Sequence, residues 1–379
     1  MSGITLTNAV RANLNTLTAT ADMMSQVQNK LATGKKVNSA LDNPNSFFTA
    51  KGLENRASDL GTLLDDMGQG VQTLKAADKG ISAISDLVDA AKAKANQALQ
   101  TSDQTLRSKY ANEYNELLTQ MQDLAKDSGY KGKNLLAGTG NDLSVTFNED
   151  GTSSMSISAV DYTDVSTSLG LNNITAGANG TGSVEVAADA AADTTTLVTL
   201  AAFDDGDTIT VTGGDGSTIG TFSVSATTTV ADFNTALNAM DGVSSTYDQA
   251  DGDLDITAQG QQVTITSSDG GVGQMFQAGT NSGFTNDTAI NTQLSALKSA
   301  QDSLRAQAST FGTNLSIVEN RQDFTTSLIN TLQEGAGELT LADTNVEGAN
   351  LLALQTQQQL ASTSLSMASQ ASQNVLRLF

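Results

Sequence analysis

The residue types that carry out most covalent chemistry are missing from this sequence. It has no histidine and no cysteine, which excludes a Ser–His pair, a thiol nucleophile, a His-bearing zinc helix and any Cys-based metal site. The groups left to do chemistry are carboxylates. They cluster at Asp204-Asp205-Gly206-Asp207 and at Asp248, Asp251, Asp253 and Asp255, and clustered carboxylates raise the question of calcium. The spacing answers against it: no glycine falls at position six of such a loop and no glutamate at position twelve. "GGDGSTIG" at 213–220 occurs once, whereas a calcium β-roll repeats its motif. The triplets at Asn173, Asn179 and Asn286 match the N-glycosylation pattern, which is common by chance. No catalytic residue, cofactor or metal site is expected.

Charge shows where the acidity belongs. The net charge is −22, yet no Lys or Arg lies between Lys133 and Lys298 while twenty acids do. The rest of the chain is nearly neutral. An acidic insert repels phosphate backbones, so nucleic acid is not an expected partner. No apolar run reaches the length of a membrane span, so no membrane partner is expected. The N-terminus "MSGITLTNAVRANL" lacks a continuous apolar core, so no cleaved secretory signal is expected.

The elements that flank the insert read as helices. Leu60, Leu64, Met67, Val71, Leu74, Ile81 and Val88 keep a 4-3 spacing until polar residues at Gln100–Asp103 interrupt it. A second stripe follows through Leu106, Tyr110, Tyr114, Leu117, Met121 and Leu124. A third runs from Ile290 through Leu304, Phe311, Leu315 and Val318 to Leu332, with Asn286 and Asp287 as candidate caps and Gly335 and Gly337 as a candidate stop. Three long amphipathic helices imply a bundle. The insert between them reads as β. A hairpin turns at Asn148–Gly151, and a β-β-α-β-β module spans 205–267, with Thr229 and Asp232 as the capping box of its helix. The fold class is α+β: a long antiparallel helical bundle or coiled coil formed by both chain ends, with an inserted β-rich outer domain.

The two ends carry stripes of their own. Val10, Leu14, Leu17, Ala21, Met24, Gln28 and Leu31 form one. Val346, Asn350, Ala353, Gln357, Leu360, Ser364, Met367, Ala371, Asn374 and Leu378 form another. Leu351, Leu354, Ala361, Leu365, Ala368 and Val375 form a second stripe on that same helix. A helix with two apolar stripes requires more than one neighbour. Packed only on each other, the ends would be marginal, so other copies of the chain are the expected neighbours.

These residues bear a resemblance. Leu31-Ala-Thr-Gly34, Val37-Asn38-Ser39-Ala40 and Asp42-Asn43-Pro44, with "TNAVRANLNTLTATADMM" upstream, resemble the N-terminal signature of bacterial flagellin. Gln355, "QLASTSLSMAS" and Gln373-Asn374-Val375-Leu376 are similar to its C-terminal segment. Residues 205–267 resemble the internal (hook IN) motif inserted in flagellins and hook-associated proteins.

The resemblance implies a filament subunit for swimming motility, not an enzyme, secreted to the extracellular filament through type III export. It implies terminal coiled-coil helices at 1–44 and 340–379 (D0, the inner tube), a helical bundle with a β-hairpin at 45–175 and 287–339 (D1, the outer tube), and the acidic insertion at 176–286 (D2, the outer surface). Val10, Leu14, Leu17, Met24, Leu31, Leu351, Leu354, Leu360, Leu365, Val375 and Leu376 would line the D0 seams. Gly34, Asn38, Asp42, Asn43 and Pro44 would form the D0–D1 connector. Leu60, Leu64, Met67, Val71, Leu74, Leu304, Phe311, Leu315 and Val318 would make the D1 core. The implied partners are the chain itself, an export chaperone at the C-terminal segment, a filament cap and hook-associated proteins. The stretch recognised by Toll-like receptors corresponds to Ala90, Ala91, Lys92, Ala93 and Lys94, which departs from the family's Arg-x-Arg-Glu-Leu pattern and implies weak recognition. A hook–filament junction protein has similar ends and is the alternative.

Overall fold

A computed structural model describes residues 8–187, 189–199, 203–268, 275–276 and 278–376. Among them the order is α1 (Asn8–Thr33), α2 (Pro44–Leu99), α3 (Gln104–Asp127), β1 (Leu143–Thr146), β2 (Ser154–Ile157), α4 (Val165–Leu169), β3 (Ala178–Glu185), β4 (Thr208–Gly213), β5 (Thr218–Ser223), α5 (Val230–Asn238), β6 (Val243–Asp248), β7 (Asp253–Ala258), β8 (Val263–Ser267), β9 (Met275–Phe276), β10 (Ala278–Thr280), α6 (Asp287–Thr340) and α7 (Thr344–Leu376). The class is α+β, as the helical ends and alternating middle require. The chain divides into two compact units. One comprises Met1–Gly68, Val145–Met155 and Glu319–Phe379; the other comprises Gln69–Ser144 and Ser156–Val318. Helices α2 and α6 contribute to both.

In the first unit, Ala57, Leu60 and Leu332 form a small core with Leu53, Leu63, Leu328 and Ile329 around it. Helix α6 does not stop at Gly335 or Gly337 but runs on to Thr340. A helical glycine costs about 1 kcal/mol against alanine, and here a neighbour makes use of the bare backbone: a Cβ on Gly335 would lie 3.6 Å from Leu53. The hairpin tip is held twice, by an Arg56–Glu149 ion pair at 2.5 Å and by the Arg321 guanidinium 5.2 Å from the Phe147 ring centre.

In the second unit, Ile81, Ile84 and Val88 of α2 and Ile290, Leu297 and Leu304 of α6 are buried. Asp103 caps α3, accepting from the amides of Thr105 and Leu106. The buried face of α3 is Arg107, Ala111, Tyr114, Leu118, Met121 and Ala125, rotated from the stripe of its largest apolar residues; Leu106 is exposed. Arg107 explains part of that rotation. Its guanidinium donates to the carbonyls of Ala98, Thr101 and Thr285 and to the Asp287 carboxylate, tying both ends of the α2–α3 turn to the start of α6. Burial pushes the Tyr114 hydroxyl up to about 12.

The insert holds two four-stranded antiparallel sheets, in the orders β10-β3-β7-β6 and β5-β4-β8-β9. The expected β-β-α-β-β run is present, but its two hairpins fall in different sheets around a core that includes Val211, Phe233, Leu254 and Ile265. The Thr229–Asp232 capping box starts α5. The insert is fastened to α3: Asn115 exchanges two hydrogen bonds with Ile174, and Thr105 donates to Gln259 at 2.8 Å. Gly260 sits so close that a Cβ would lie 2.9 Å from Ser108.

Two glycines on α2 should therefore respond oppositely to alanine. A Cβ at Gly52 meets nothing within 4 Å, so Gly52→Ala should stabilise by up to about 1 kcal/mol. A Cβ at Gly80 would overlap Ser128 and Leu136, so Gly80→Ala should destabilise by about 1–3 kcal/mol. Urea denaturation of the two variants beside the parent reads both signs.

Candidate assembly interface

The terminal helices α1 and α7 pack on each other. Asn13 donates to Ser364 at 3.3 Å, and Lys30 pairs with Glu347 at 3.2 Å. Descending α1 while ascending α7 defines an antiparallel pair. On α1 the face turned inward is Val10, Asn13, Leu17, Thr20, Met24, Val27 and Leu31, of which Thr20 and Val27 are buried. Leu14, expected in this seam, is exposed, because Asn13 and Thr20 take the inner positions on either side of Leu17.

On α7 the second stripe faces α1: Leu351, Leu354, Ala361, Leu365 and Ala368 are half-buried. Leu360, also expected in the seam, lies on the other stripe and is 67% exposed, with Val346 and Met367 exposed beside it in sequence. No described side chain of α7 is buried. The side chains of Asn374, Val375 and Leu376, and all of Leu378, lie outside the described residues. Within the chain, α7 is covered on one side only.

The connector is double. Gly34 ends α1 with φ +68°, the left-handed conformation a side chain rarely adopts. The chain then forms a short antiparallel bridge with the segment after α6, Lys35 opposite Leu341. Lys36 and Val37 both donate their amides to the Thr340 carbonyl, and Ala342 donates back to Gly34. The ammonium of Lys36 donates to the Glu338 carbonyl at 2.7 Å. Beyond the bridge, the Asp42 carboxylate accepts from the amides of Asn38 and Ser39 and from the Ser39 hydroxyl. Asn43 accepts from the Ser46 amide, and Pro44 is the first residue of α2, where its missing N–H and fixed φ are compatible with a helix start. The five connector residues read from the sequence thus make one continuous turn; the Thr340–Ala342 arm was not visible in it.

Of the bundle positions, Leu60, Met67, Val71, Leu74, Leu304, Phe311 and Val318 are buried, and Leu64 and Leu315 are half-buried. Ala91 is buried within the receptor-corresponding stretch, and Lys94 pairs with Glu113 at 2.7 Å. Among the described residues, no group of three or more acidic residues stands close enough to hold a metal ion, and no helix is long and apolar enough to cross a membrane.

The Ser39 and Asn38 amides, in that order, lower the Asp42 carboxyl below its ordinary 3.8. A group depressed in the folded state stabilises above its unfolded pKa, and that contribution is lost as pH falls through the folded value. The turn should therefore hold at neutral pH and release only below about pH 3.8. In an acid titration followed by NMR, the Asn38 and Ser39 amide signals should move with a midpoint under that value. Asp42→Asn should abolish the transition; signals moving at 3.8 or above would contradict the turn.

The comparisons with known proteins fall on these same elements. The family model for the bacterial flagellin N-terminal helical region matches residues 4–141, and that for the bacterial flagellin C-terminal helical region matches residues 294–379. Flagellin A of Rhizobium meliloti is 27% identical over the whole of both chains. Flagellin of Brucella melitensis is 24% identical over all of this chain and 99% of its own. The solved structure of Xanthomonas campestris FlgL aligns with 76% of this chain and 99% of its own, at 13% identity and a TM-score of 0.30, and carries no argument here. Both terminal matches and the full-length relatives agree: the chain belongs to the bacterial flagellin family, whose members are the structural subunits of the flagellar filament.

Proposed function

We propose that this chain polymerises through α1 and α7, with residues 1–44 and 340–379 as the inner-tube layer, 45–175 and 287–339 as the outer-tube layer, and 176–286 as the outer surface. The observation that carries the reading is that no described side chain of α7 is buried, although the helix has two apolar stripes. One stripe meets α1; Val346, Leu360 and Met367 on the other meet water. Further copies of the chain cover that stripe in the filament. The absence of histidine and cysteine supports a purely structural role. Export without a cleaved signal, chaperone binding at the C-terminal segment, and capping by cap and hook-associated proteins complete the reading by family likeness.

The test is seeded elongation of short filament fragments, viewed by negative-stain electron microscopy. The double variant Leu360→Ser with Met367→Ser should melt like the parent, since both side chains are already in water. Burying either is worth about 1.5–3 kcal/mol, so losing both should raise the critical concentration by roughly tenfold or more. Unchanged elongation would remove this stripe from the interface. A parent that fails to elongate seeds at all would favour the hook–filament junction protein.

The receptor-corresponding stretch generates a separate expectation. With Ala90 and Ala91 in place of charged side chains, and Lys94 engaged by Glu113, a Toll-like-receptor reporter assay should show weak activation. Full potency would reject it.

A further inference from the structure

Two features of the surface are used by nothing described so far. The first is Leu41, 95% exposed. It is not a loose loop residue: Ser39 and Asp42 fix the backbone on both sides, and the Leu41 amide itself donates to the Ser39 hydroxyl at 3.3 Å. A leucine held out into water by a preorganised turn costs no ordering entropy when it finds an apolar partner. The second is a groove of about 290 Å³ along α2 and α6, lined by Ile81, Ser85, Asp86, Leu304, Arg305 and Ala308. Its floor is apolar, with Ile81 and Leu304 buried, and its rim is charged.

The rim charges are not equivalent. Arg305 pairs with Asp302 at 3.4 Å, whereas the Asp86 carboxylate is exposed and has no ion pair. Beside the exposed leucine, the Lys35 ammonium likewise has no ion pair. An apolar knob with a spare cation thus faces, in chemistry, an apolar groove with a spare anion. Knob and groove occupy different parts of the sequence, so a contact between them in two copies is heterologous: it leaves a free knob on one copy and a free groove on the other. Such contacts propagate an open polymer instead of closing a dimer.

We propose that Leu41 of one copy seats in the Ile81–Leu304 groove of the next copy, with Lys35 reaching Asp86 on its rim. This contact rests on the filament reading but is distinct from the α7 stripe. It assigns the connector a second task, holding a neighbour as well as joining the chain's own helices.

Because the natural chain has no cysteine, a disulfide can report the contact without background. In the double variant Leu41→Cys with Ser85→Cys, mild oxidation of seeded filaments should give a covalent ladder on a non-reducing gel. Neither single variant and no dilute monomer should do so. Leu41→Ser should keep the parent's melting curve and raise the critical concentration about ten- to a hundredfold, equivalent to about 1.4–2.8 kcal/mol at 1.4 kcal/mol per factor of ten. Asp86→Lys should slow elongation, and adding Lys35→Glu should restore it. Filaments without a ladder, an intramolecular disulfide in the monomer, or normal elongation by Leu41→Ser would each overturn the contact while leaving the filament reading intact. A parent that never elongates seeds would overturn both.

Discussion

The antiparallel register of the two chain ends is the constraint on which the first unit depends. Asn13 meets Ser364 and Lys30 meets Glu347, so seventeen residues down one helix match seventeen up the other. The bridge continues the same register, with Lys35 opposite Leu341 and Lys36 on Thr340. A slip of one residue would rotate each stripe by about 100° and expose Val27 and Leu31. The helices alone specify this weakly, since their contact is thin and half polar. The bridge specifies it strongly, because backbone donors and acceptors cannot be satisfied out of step. Register set at the joint is therefore transmitted outward along both helices.

This division of labour explains the chemistry of the connector. Its hydrogen bonds are mostly to backbone groups, and backbone geometry is what must be fixed where a helix ends and another begins in a new direction. Gly34 supplies the conformation, Asp42 collects the amides that the turn leaves unpaired, and Asn43 caps α2. Pro44 can stand here because a first-turn residue needs no N–H. At an interior position of any of the long helices it would cost about 3 kcal/mol or more. The single proline of the chain is thus placed where its restriction agrees with the fold.

Much of this was legible in the sequence, and the failures have physical causes. Heptad spacing located α2, α3 and α6 because long helices bury one stripe and large apolar residues mark it. It misplaced the buried face of α3 because Ala111 and Ala125 carry little weight in such a reading, and because no pattern anticipates an arginine buried by three carbonyls and a carboxylate. Gly335 and Gly337 looked like a stop because glycine is a poor helix former; contact with Leu53 makes the difference, and that contact is tertiary. On α7 two stripes were visible, but which one faces α1 depends on the partner, so Leu360 was assigned to the wrong side. The arm at Thr340–Ala342 left no signal at all, since a one-residue bridge has no periodicity.

The composition of α7 also follows from what a polymerising chain must avoid. A continuous apolar stripe on the uncovered side would drive collapse of free subunits, because apolar association is not directional. Here Leu352, Leu360 and Met367 are exposed, but Gln355, Thr356, Gln357, Ser362 and Thr363 stand between them. Each apolar residue is thus an isolated knob that gains little against an arbitrary surface and more against one shaped for it. Several such knobs engaged at once by neighbours in fixed register add up, whereas a single encounter engages too few to persist. Dilution of the stripe with polar residues weakens any one contact and makes the stable state the one in which many are formed together.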